Sequence, residues 1–157
     1  MRNEGWQKAP ASGRAASPGK NGRVAIRDVS IPVQSDLDIV GARHQGRSLA
    51  AALGFSPGDA TLIATAISEL ARNIILYAKR GQIILKPVAQ SDSSGLVIVA
   101  SDEGPGIPDV RRALEDGYST SQSLGLGLPG VRRLMDEFEI VSEVNRGTKV
   151  TVKKWRR

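Results

Sequence analysis

The chain has 157 residues, 40% of them apolar and 24% charged, the composition of one globular domain with a core of its own. It has no cysteine and one histidine, which argues against a disulfide framework or a thiolate zinc site, and with no apolar signal core and no membrane-length apolar run a cytoplasmic protein without a membrane partner is expected. The formal charge of +6 sits at the ends: residues 1–23 carry five Lys/Arg against one Glu, residues 149–157 carry five and no acid, and residues 24–148 carry twelve against fifteen, so without interleaved aromatics no nucleic-acid partner is expected.

Residues 1–22 are rich in Gly, Ala, Ser, Pro and basic residues without apolar periodicity, which predicts a disordered basic tail and leaves 23–157 as a single domain. The alternation of Val24, Ile26 and Asp28, then Val29, Ile31 and Val33, predicts a strand with a slip or bulge near Asp28-Val29. Ser35 is a good N-cap, Asp36 and Asp38 follow in the first turn, and Gly54 closes a helix. Its Ile39, Ala42, Gly46, Leu49, Ala50 and Leu53 share one face, with His44, Arg47 and Ser48 opposite. The single histidine is thus expected to face solvent, which removes His-dependent triads.

Ser56 and Pro57 open a second helix that runs to about Ala78, before Gly81. Its apolar stripe is Leu62, Ile63, Ala66, Ile67, Leu70, Ile74 and Tyr77. At helical periodicity Asn73 falls within about 20° of Ala66, inside the stripe, and Glu69 about 60° away, at its edge. A carboxylate and an amide turned toward a core must find partners. Either they form a buried structural hydrogen bond, or this helix faces a ligand. Arg72 lies on the outer flank and reads as an ordinary surface residue, with contact to phosphate or a protein substrate as the alternative.

Gln82–Val88 and Leu96–Ser101 read as two strands of a hairpin, joined by a polar turn over Ala89–Gly95. Asp102-Glu103-Gly104-Pro105-Gly106-Ile107-Pro108 follows. An aspartate at a strand's end can accept from an amino group and glycines let backbone approach a flat ligand, although such turns also simply end strands. Pro108 begins a short helical segment through Glu115, ended by Asp116-Gly117. The small, polar run Tyr118 to Ser123 is a loop whose place between two glycine motifs suggests a mobile lid. Gly125-Leu126-Gly127-Leu128 then leads to Pro129, expected to open a helix through Met135; glycines feeding a helix start present free N–H groups to an anion such as phosphate. Phe138–Val144, a turn at Asn145-Arg146-Gly147, and Thr148–Trp155 complete a C-terminal hairpin.

Taken together, Glu69-x-x-x-Asn73 on a helix, Asp102-x-Gly104-x-Gly106 after a strand, Gly125-x-Gly127-Leu128 before a helix and Gly147-Thr148 opening a late strand resemble the GHKL ATPase/kinase superfamily. The resemblance covers residues 24–155. Within the superfamily, the stretches Ile67–Ile74, Asp102–Asp109 and Gly125–Val131 are similar to the RsbT-like serine/threonine switch kinases of the bacterial stressosome. That resemblance implies an α/β fold, the two-layer Bergerat sandwich, with a mixed, mostly antiparallel sheet, helices on one face, and nucleotide between the Glu69 helix and the sheet.

Carried over to matching positions, Asp102 would accept from the adenine amino group with Thr148 in support, and Asn73 would ligate Mg²⁺. Gly104, Gly106, Gly125 and Gly127, with Ile107, Leu126 and Leu128 beside them, would close around ATP. Glu69 would be the general base toward a Ser or Thr hydroxyl. The implied substrates are STAS-domain scaffold proteins of the RsbS and RsbR kind, and the released kinase would then bind a downstream output protein such as a PP2C-type phosphatase. Neither a helical dimerisation domain with a phosphoacceptor His nor a transducer domain is recognised, so action on a separate protein is expected. The alternatives are a kinase that sequesters a sigma factor and a nucleotide-holding partner switch without transfer activity.

Overall fold

The computed structural model describes residues 26–115 and 126–157. In chain order these form β1 (Val29–Val33), α1 (Asp36–Ala52), α2 (Pro57–Ala78), β2 (Gly81–Gln90), β3 (Ser93–Asp102), α3 (Val110–Ala113), α4 (Gly127–Leu134), β4 (Glu137–Glu143) and β5 (Gly147–Trp155). The sheet order is β1-β2-β3-β5-β4. The tail at 1–22, the segment Tyr118–Ser123 and Gly125 lie outside the described residues.

Period-2 alternation turns one face of every strand toward the helices. Ile31, Ile83, Ala100, Val150 and Ile140 pair across the five strands in one row, and Val29, Leu85, Ile98, Val152 and Phe138 in the next. Against these rows α2 lays Ile63, Ala66, Ile67, Leu70, Ala71 and Ile74, all buried, and α1 adds Ile39, Ala42 and Ala50. By length and composition α2 is the one described helix apolar enough to cross a membrane, but 56% of that stretch is buried inside the protein, where a core helix belongs. Its boundaries are those expected, with Ser56 accepting from the Asp59 backbone N–H at 3.1 Å and Pro57 in the first turn. In α1 the Asp38 carboxylate closes the start instead, accepting from the backbone N–H groups of Gln34 and Ser35. His44 is exposed, as its helical position implies.

Several expectations are corrected. Every described strand pair is antiparallel, so the sheet is not mixed. Two helices lie between β1 and β2; the first carries the chain back and the second returns it, so β2 starts beside the end of β1 and runs against it. Among the described residues the first strand begins at Val29 and contains no bulge, since residues 26–28 do not pair; Val24 lies outside the described residues. Val29 is opposite Leu85, and Pro87, two residues further along β2, has no N–H with which to extend the ladder. Tyr77 is 48% exposed and not in the core, because the sheet-facing stripe of α2 ends at Ile74. The hairpin turn shrinks to Ser91-Asp92, the helix after Pro108 to four residues, and α4 begins at Gly127, ahead of Pro129.

The basic C-terminus is built into the sheet. Lys154 is buried, and its Nζ donates to the Leu134 carbonyl at 3.0 Å, closing the end of α4. Asp136 accepts from the Trp155 backbone N–H at 2.7 Å and pairs with Arg157. Burial pulls the Asp136 carboxyl upward, but the Trp155 N–H, the Lys154 charge and the Arg157 pair outweigh it and hold the group below the usual carboxylate range. A depressed folded pKa stabilises the protein above the unfolded value and ceases to do so as pH falls through the folded one. Asp136→Ala should therefore cost about 2 kcal/mol near neutral pH. In denaturant titrations the gap from the parent should narrow below about pH 4; a gap independent of pH would contradict the assignment.

Candidate functional site

Two residues beyond the apolar row of Ala100 and Val150, the same sheet face turns polar. Val33, Gly81, Asp102, Thr148 and Ser142 form a single cross-strand row at the end of the sheet. The alternation that sends Ala100 and Val150 toward the helices sends Asp102 and Thr148 the same way. Asp102 Oδ1 accepts from the Gly104 N–H at 2.9 Å and the Thr148 N–H at 3.3 Å. Among the described residues both bonds fall on Oδ1, so Oδ2 keeps its acceptor capacity.

Ser142 was not singled out by the sequence, yet it joins the two halves of this end of the sheet. Its Oγ accepts from the Ile107 N–H at 2.7 Å, donates to the Gly147 carbonyl at 3.2 Å and lies 2.7 Å from Thr148 Oγ1. Either hydroxyl can be the donor in the third contact, and in both cases Thr148 Oγ1 keeps an acceptor lone pair. The signal was present: along β4, Phe138, Ile140 and Ser142 share the inward face, and a serine there interrupts an apolar alternation.

The glycines of this region make room for the protein itself. Gly106 has φ +76°, and a Cβ on it would collide with the Glu143 carbonyl; the adjoining Pro105 carbonyl accepts from the Asn145 N–H at 2.8 Å. Gly147, at φ +123°, lies so close to the Asp102 carbonyl that no side chain fits. Gly104 would place a Cβ 2.5 Å from Ala78 Cβ, so the loop after β3 lies directly on the end of α2.

Glu69 and Asn73 occupy the preceding turns of α2. The Glu69 side chain is 8% exposed; its Oε1 pairs with Arg72 Nη1 at 2.7 Å, and its Oε2 accepts from the Gly127 N–H at 3.3 Å. Two expectations change. Arg72 is no unattached surface residue, because i and i+3 positions on a helix are neighbours and Glu69 is buried beside it. Nor is the Gly127 N–H free at the start of α4, since the Glu69 carboxylate occupies it, as a negative group at a helix N-terminus does. Asn73 is half-buried and its amide makes no hydrogen bond among the described residues, leaving its oxygen free to coordinate. Leu128 packs on the core, Leu126 is 49% exposed with its side chain against Gly130, and Ile107 is half-buried and held by Ser142.

All the described motifs are thereby fastened to one half of α2: the Gly127 end of α4 to Glu69, the Gly104 loop to Ala78, and Thr148 to that loop through Asp102. The result is a cluster of free acceptors at one end and a buried carboxylate beside a helix N-terminus at the other.

Comparison with known proteins shows which family this chain resembles. The family profile described as a histidine kinase-like ATPase domain matches residues 33–154. The serine/threonine-protein kinase RsbT of Bacillus subtilis (strain 168) is 54% identical over 127 residues, 81% of this chain and 96% of its own. The anti-sigma F factor of Clostridium beijerinckii is 32% identical over 97 residues, 59% of this chain and 68% of its own. Among solved structures, the RsbU and RsbW domains of a Mycobacterium tuberculosis protein superpose with a TM-score of 0.60 at 18% identity, over 86% of this chain and 34% of that one, a likeness of fold. Ser142→Ala should weaken binding of a fluorescent ATP analogue about three- to tenfold, the equivalent of one hydrogen bond, with an unchanged circular dichroism spectrum; unaltered affinity would show that the Ser142 bonds do not shape the pocket.

Proposed function

The chain belongs to the histidine kinase-like ATPase domain family and is an ATP-dependent serine/threonine kinase of the GHKL type; from that membership we propose that its acceptors are STAS-domain scaffold proteins of the RsbS and RsbR kind. Released from them, it binds and activates a downstream partner such as a PP2C-type phosphatase, acting in the cytoplasm. The observation that carries the nucleotide site is the attachment of every described motif to the second half of α2. Glu69 and Ala78 are nine residues apart, about 14 Å along the helix axis, the length scale of an extended nucleoside triphosphate.

In this reading Asp102 Oδ2 accepts from the adenine 6-amino group, and the free lone pair of Thr148 Oγ1 serves the ring edge directly or through water. The triphosphate extends along α2 toward the start of α4, whose N–H groups favour negative charge. The donor set suits Mg²⁺: one amide oxygen from Asn73, with phosphate oxygens and waters completing an octahedron, is the usual manner in which that ion is held. When bound, the ion would neutralise phosphate charge. Glu69 takes the proton of the attacking hydroxyl as the new oxygen–phosphorus bond forms and the bond to the leaving β-phosphate breaks. On α1, Val40 lines a groove with Arg43, His44 and Arg47, and Leu37 is exposed three residues before it, an apolar and basic surface suited to a protein partner.

Incubation with γ-labelled ATP, Mg²⁺ and an RsbS-type STAS protein should label that protein on a serine or threonine; label found only as free phosphate would overturn the acceptor assignment. Glu69→Ala should retain ATP binding while transfer falls about 10²–10⁴-fold, and normal transfer would remove Glu69 as the base. Asp102→Ala should lose measurable ATP binding in titration calorimetry, and near-parental affinity would refute the adenine role.

A further inference from the structure

We propose that Arg72 is the positioning residue for Glu69, fixing the carboxylate so that Oε1 is held by the guanidinium and Oε2 is turned to the start of α4, where the proton must be taken. An i,i+3 ion pair on an exposed helix face is a minor stabilising feature. This one differs because only the arginine is half-exposed, at 39%, while the glutamate side chain is 8% exposed. A buried carboxylate needs charge or hydrogen-bond compensation. Among the described residues Glu69 has two partners, Arg72 at 2.7 Å and the Gly127 N–H at 3.3 Å.

The two partners are unequal. The contact with Gly127 is long and lies between two separate elements, so it can be exchanged for a substrate hydroxyl once phosphate takes over the N–H groups of α4. The contact with Arg72 is short, charge-assisted and internal to α2, so it persists through that exchange. Glutamate has three side-chain torsions, and with Gly127 withdrawn Arg72 is the partner among the described residues that keeps Oε2 aimed. Arg72 itself sits on the flank of α2, one residue from Asn73, and among the described residues its ion pair is with Glu69. Its loss should act on the rate of transfer and not on nucleotide affinity.

Because this proposal rests on Glu69 being the base, the full chain is compared as parent, Glu69→Ala, Arg72→Ala, Arg72→Gln and Arg72→Lys. Single-turnover transfer to the RsbS-type acceptor is measured alongside affinity for a fluorescent ATP analogue. Arg72→Ala and Arg72→Gln should lower the saturated transfer rate about 10- to 100-fold, the scale of a misplaced catalytic group, with ATP-analogue affinity within about threefold of the parent. Arg72→Lys, which keeps the charge but not the planar fork, should recover part of the rate. Should Arg72→Ala not fold, Arg72→Gln carries the same test with its length and helix propensity preserved. A parental rate in Arg72→Gln, or loss of affinity in proportion to rate, overturns the positioning role while Glu69→Ala remains inactive. Full activity in Glu69→Ala instead overturns the base assignment, and the positioning role with it.

Discussion

The site depends on one half-buried acceptor, Asp102 Oδ1, which receives the N–H groups of Gly104 and Thr148 from two different parts of the chain. With Gly147 pressed against the Asp102 carbonyl and Gly106 against that of Glu143, the loop after β3 and the hairpin of β4 and β5 form one unit. Ser142 completes it by taking the Ile107 N–H and joining Thr148. The glycines that resemble a nucleotide signature thus first let protein backbone meet protein backbone. Those contacts leave the loop few alternative conformations.

A second constraint acts through α2. This helix is both the main apolar partner of the sheet and the carrier of Glu69 and Asn73. Its apolar face fixes rotation and height against the strands, and four residues further along each polar position follows with helical regularity. A buried carboxylate is normally a destabilising feature, and here it is compensated by Arg72 and by the start of α4. The same two bonds that make Glu69 tolerable in a core also fix the direction of its carboxylate.

The C-terminal strand shows why charge along a sequence is a poor guide to exposure. Residues 149–157 carry five basic groups and no acid, yet they form the strand between β3 and β4. Alternation places Val150 and Val152 in the core, sends Lys153 toward Glu137 and the ring of Trp155, and buries Lys154 against the end of α4. Long basic side chains lay their stems on apolar surface while their charged ends find carbonyls and carboxylates.

The sequence by itself determined the local periodicities and the chemistry they carry. The full length of α2, the solvent-facing His44, the inward position of Glu69 and Asn73, and the β2–β3 hairpin were all legible, because a 3.6-residue or two-residue repeat needs no knowledge of the partner element. Asp102 and Thr148 were legible as motif positions. What only the tertiary structure decided was which of these residues meet. Ser142 became visible once β4 was in register beside β5, Arg72 once Glu69 was buried next to it, and the antiparallel sheet once two helices intervened between β1 and β2. Each depends on contacts between residues distant in sequence or on the burial those contacts create. A local pattern fixes the direction of a side chain relative to its own element, whereas its partner is set by how the elements pack.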